Sequence, residues 1–96
     1  MIALADLRAD HFAPLVGQTF TLEVEEGAFP APLLEVRTGA AGAHPGSTRA
    51  PFAILFRIPA GTPLRQGMYA LVHPALGRHE LFFTPVAADL LEAVFG

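Results

Sequence analysis

The segment QTFTLEVE at residues 18–25 alternates without a break, with Phe20, Leu22 and Val24 on one face and Thr19, Thr21, Glu23 and Glu25 on the other. A period of two predicts an extended strand with one face buried and the other in water. PFAILFRIP at 51–59 predicts a second strand, whose inner series Phe52, Ile54, Phe56 and Ile58 carries more apolar volume than any other segment. Ala53 and Leu55 make its other face partly apolar, as a central strand requires, and Arg57 emerges near its end. Pro51 and Pro59 bound it, where a missing backbone donor costs least.

MYALVH at 68–73 and RHELFFTPV at 78–86 are separated only by PALG, so they are expected to pair as an antiparallel hairpin. Tyr69, Leu71 and His73 share one face, and Met68, Ala70 and Val72 the other. Phe82 is expected to join Phe20, Phe52 and Phe56 in the core. Pro30 and Pro32 are expected to delay another strand until about Leu33, with Leu34 and Val36 opposing Glu35 and Arg37 through Thr38. DLLEAVF at 89–95 reads either as a strand aligning Leu91, Ala93 and Phe95 or as a short helix with Leu90, Leu91, Val94 and Phe95 on one face; the strand is preferred because it closes a sheet edge. Near the N-terminus, Asp10 is placed as the cap of a short lid helix through Phe12, Leu15 and Val16. Pro14 limits that helix to about one or two turns before Gly17 ends it. These elements predict a mainly β fold: a small antiparallel barrel or two-layer sandwich of about five or six strands with one short N-terminal helix, forming a single β-rich domain over residues 1–96.

A chain of 96 residues, 52% hydrophobic, has material for one core and no second domain. With no cysteine, disulfides and thiolate chemistry are excluded. A net charge of -3 and the absence of lysine argue against nucleic acid and anionic membrane as partners. Apolar runs fall far short of the roughly 18 residues of a membrane-spanning helix, and the start lacks a secretory pattern. The expected location is cytoplasmic, compatible with incorporation into a larger particle. GAAGAHPGSTRA at 39–50 carries no large apolar side chain and reads as a linker or a binding loop; it lacks the lysine-bearing phosphate motif.

His73 and His79 flank the PALG turn, with Glu80 beside them, but no third ligand at a fixed spacing completes a metal site. They serve equally well as polar braces of the turn, and no metal ligand or cofactor is assigned. Ser47 and His44 lie among glycines without a carboxylate to orient them, so no catalytic residue is assigned there either. Glu23, Glu25 and Glu26 are explained by solvation. The arginines are dispersed, and Arg49 and Arg65 are candidate contacts with a protein partner. Phe29, between Ala28 and Pro30, either plugs a barrel end or projects into an interface. Tyr69 and His73 are candidate ligand contacts if their shared face lines a cavity.

The stretches FAPLVGQTF at 12–20, FAILFRIP at 52–59, QGMYALVHPALG at 66–77 and ELFFTPV at 80–86 resemble a bacterial family of small domains of unknown function. The resemblance spans almost the whole chain, and its most specific part is QG-x-Y-x-x-x-HP-x-LG followed by LFF-x-PV. It implies a compact β-rich protein. Because such domains are sometimes encoded beside phage-tail-like or tail-collar proteins, it also implies an accessory or structural role. Gln66, Gly67, Tyr69, His73, Pro74 and Gly77 match the pattern, and no catalytic residue is implied. The expected function is a noncatalytic protein-interaction or assembly module acting through a protein partner or homo-oligomer, with Phe29, Arg49, Arg65, Tyr69 and His73 as contacts. The alternatives are a small-ligand-binding barrel and, behind it, a metal-dependent enzyme using His73 and His79.

Overall fold

The computed structural model describes residues 2–25, 27–38, 51–62 and 64–95. Six strands form a closed antiparallel barrel: β1 (Thr19–Val24), β2 (Gly27–Thr38), β3 (Phe52–Arg57), β4 (Gly67–His73), β5 (Gly77–Ala87) and β6 (Leu90–Phe95). Consecutive strands pair β1 with β2, β2 with β3, β4 with β5 and β5 with β6, while β1–β4 and β3–β6 pairing closes the circle. The barrel is thus formed rather than the sandwich, and the last segment is a strand. No helix among the described residues is long and apolar enough to cross a membrane.

Period-two alternation fills the interior. Phe20 and Leu22 of β1, Ile54 and Phe56 of β3, Leu71 of β4, Phe83 of β5 and Leu91 of β6 are all buried, and each large side chain contributes about 1.5–3 kcal/mol on leaving water. Phe52 and Phe95, opposite one another on β3 and β6, stack with ring centroids 4.4 Å apart and planes at 6°. Phe20 meets Phe56 edge-on at 5.1 Å.

The N-terminal lid differs from its expected form. Helix α1 spans Ala9–Phe12, and Asp10 lies inside its first turn rather than capping it. The N-cap is Arg8, whose backbone N–H donates to His11 Nδ1 at 2.9 Å, while the His11 N–H donates to the Arg8 carbonyl at 3.0 Å. An imidazole acceptor at the third helical position thus satisfies the backbone donor at the cap. A 3-10 turn, Ala13–Leu15, accommodates Pro14, and Gly17 at φ +91° turns the chain into β1. The lid is pinned to β2, because Gly17 N–H donates to the Leu33 carbonyl at 2.8 Å and Leu33 N–H to that of Gln18 at 2.9 Å. Phe12, 1% exposed, plugs the barrel end against Phe20, Phe52 and Phe95.

Three further expectations are corrected. β2 begins at Gly27 and runs through Pro30 and Pro32, which lie opposite Thr21 and Thr19. Since Leu33 turns its amide toward β1, alternation turns the nitrogens of Pro30 and Pro32 away from β1, so their missing hydrogens cost the β1–β2 ladder nothing. The register shifts between Leu33 and Glu35, which buries Leu33 completely and leaves Leu34 exposed instead of sharing a buried face with Val36. On β5 the buried phenylalanine is Phe83, at 0% exposure, and Phe82 faces outward at 53%. His79, Leu81 and Phe83 form the inward series, and adjacent residues of a strand cannot share a face.

Candidate functional site

Tyr69, Leu71 and His73 face inward, as their alternation predicts, but the polar groups of Tyr69 and His73 are already engaged. His73 is 8% exposed, and the Ala75 N–H donates to its Nδ1 at 3.0 Å. That contact leaves the ring hydrogen on Nε2, which donates to Gln18 Oε1 at 2.9 Å. His79 donates from Nε2 to the Leu76 carbonyl at 2.7 Å. Leu76 N–H donates to the His73 carbonyl and Gly77 takes φ +85°, so both histidines brace a three-residue hairpin loop between β4 and β5. Tyr69 donates its hydroxyl hydrogen to the Arg65 carbonyl at 2.6 Å.

The space enclosed by Phe12, Phe20, Leu71, His73 and His79 does not admit a water-sized sphere. Side chains therefore fill the region where a ligand contacting His73 would sit. Among the described residues no group of three or more His, Asp or Glu side chains is arranged to hold a metal ion.

Phe29 is half-buried opposite Leu22 and packs against the core. Arg65 is exposed, and its carbonyl serves Tyr69. Arg49, together with His44, Ser47 and the rest of 39–50, lies outside the described residues.

The outer wall carries what alternation of the inner face left aside. Ala70 stands in register between Glu23 and Glu80 and is only 4% exposed. Arg78 donates from Nε to Glu23 Oε1 at 2.8 Å and reaches Glu80 at 3.8 Å. The hydrogen bond that Arg78 donates to Glu23, and the negative charge of that carboxylate, hold the guanidinium protonated to still higher pH than usual. Beside this charged row runs an apolar one: Met68, directly opposite Phe82, and then Val94, exposed by 58%, 53% and 65%. Here the wall parts. The β5–β6 ladder joins Thr84 to Glu92, Pro85 to Leu91 and Ala87 to Leu90, and does not continue to Phe82 and Val94, the next outward-facing positions in register. A groove of about 280 Å³ opens there, lined by Leu4, Met68, Glu80, Phe82 and Val94 among others. Two large apolar residues, Phe82 and Val94, on faces that otherwise carry Arg78, Glu80 and Glu92 are the sequence signal for it, obscured when Phe82 is read into the core.

A family described as a domain of unknown function (DUF6916) matches the chain over residues 7–95. No curated protein and no solved structure matches it.

Proposed function

We propose that this chain, which belongs to the DUF6916 family of domains of unknown function, is a noncatalytic protein-interaction or assembly module. The observation that carries this reading is the exposed row Met68, Phe82 and Val94 beside an interrupted strand ladder. Apolar clusters of this kind on a barrel wall mark contact sites, whereas scattered surface residues do not. The commitment of Tyr69, His73 and His79 to hydrogen bonds within the chain supports a role outside catalysis. The filled interior next to His73 weighs against the small-ligand reading. In its finer form, the module is an accessory of a phage-tail-like particle, joined to a protein partner or to further copies of itself.

Light scattering on the purified chain, alone and mixed with the proteins encoded beside it, tests the proposal. Formation of a defined complex or oligomer that Phe82→Ser abolishes is the expected result. A strictly monomeric chain that engages none of them refutes it.

A further inference from the structure

The direction of the backbone in the groove narrows what it accepts. Ile58 N–H donates to the Asp89 carbonyl, and the register that follows turns the odd-numbered residues of β6 toward β3. Glu92 and Val94 therefore turn their main-chain groups toward β5. Thr84 answers Glu92 across the ladder, so by the same alternation Phe82 and Glu80 turn theirs toward β6. Where the ladder stops, Phe82 and Val94 present strand-edge donors and acceptors to the gap, beside their own exposed side chains. This combination of edge and apolar wall is what strand addition uses: main-chain hydrogen bonds supply affinity and side-chain pockets supply selectivity.

Charge decides between occupants. Glu80 lines the groove with its side chain 65% exposed, and Glu92 stands two residues before Val94 on the same face without an ion pair among the described residues. Two cations of the adjoining rows are already paired, Arg78 with Glu23 and Glu80, and Arg37, in the row of Ala53 and Val94, with Glu35. A second copy would bring acid against acid, from a chain of net charge -3 with no lysine. We infer that the parting of β5 and β6 receives an extended segment of a partner protein, a short apolar run flanked by arginine or lysine. The inference rests on the interaction-module reading and deepens it by naming the partner's chemistry.

The test is selection of short random peptides from a displayed library on the full chain, followed by titration of the synthesised consensus. Apolar residues flanked by Arg or Lys are expected, with amide shifts at Phe82 and Val94 on binding. Phe82→Ser is expected to weaken the peptide about tenfold or more. Glu80→Gln with Glu92→Gln is expected to weaken it and flatten its salt dependence. Both variants alter exposed or half-exposed side chains, and an unchanged urea midpoint establishes that they fold. An acidic or charge-indifferent consensus, or binding that Phe82→Ser leaves intact, overturns the inference. A dimer that Phe82→Ser dissolves also overturns it, while leaving the interaction-module reading standing. A monomer that selects no peptide and joins no partner removes both.

Discussion

His73 Nε2 donates to Gln18 Oε1 at 2.9 Å, joining the β4–β5 hairpin to the residue that leads from the lid into β1, 55 positions away in the chain. Gln18→Ala strips the acceptor from a ring that is 8% exposed, at an expected cost of about 1–3 kcal/mol in urea denaturation. Gln18→Ala combined with His73→Phe should cost less than the sum of the two single changes, because the second removes the donor that the first leaves unsatisfied.

Phe12→Ala is expected to lower stability by about 3–5 kcal/mol, because the buried ring contacts Phe20, Phe52 and Phe95 at once. Thermal denaturation measures the loss, and near-ultraviolet circular dichroism reports the altered aromatic packing.

Two neighbouring phenylalanines should behave in opposite ways. Phe83→Ala, at a fully buried position, is expected to cost about 3–5 kcal/mol. Phe82→Ser should stay within about 0.5 kcal/mol of the parent by the same denaturation assay, since the side chain is already 53% exposed.

Gly77→Ala places a Cβ on a residue at φ +85° at the foot of the β4–β5 loop. Strain of about 1–2 kcal/mol is expected, read as a fall in the urea midpoint with an unchanged slope.

Arg78 has its pKa raised by Glu23, so its contribution is fully present below its unfolded-state value and disappears only as pH climbs through the still higher folded value. The stability difference between the parent and Arg78→Gln should accordingly be constant from about pH 6 to about pH 9. Added salt should shrink it, because the pair is exposed. Urea titrations at several pH values and salt concentrations check both.

The inner wall of the barrel was readable from residues because burial repeats every second position. Phe20 and Leu22, the Phe52–Ile58 series, Tyr69–Leu71–His73 and Leu91–Ala93–Phe95 all face as their alternation predicts. Closure was less legible, since β1–β4 and β3–β6 pairing joins segments far apart in the chain and leaves no local trace. The errors fall where a local rule met a tertiary choice. Prolines read as breakers fit β2 because their nitrogens face away from β1, and the shift at Leu33 and Glu35 exchanged which leucine is buried. The exposed apolar row is masked by the Phe82–Phe83 pair: both are large and apolar, and only Leu81 and His79 identify which one belongs inside.

Pro30 and Pro32 leave the side of β2 away from β1 with acceptors but no donors at those two positions. A protein whose sheet could be extended at opposite sides would stack into fibres at high concentration, each molecule templating the next. With two successive outward donors deleted, that side of β2 is a poor template for a further strand. Strand addition at β5 and β6, as inferred above, is therefore expected to end in a finite complex and not in runaway polymerisation.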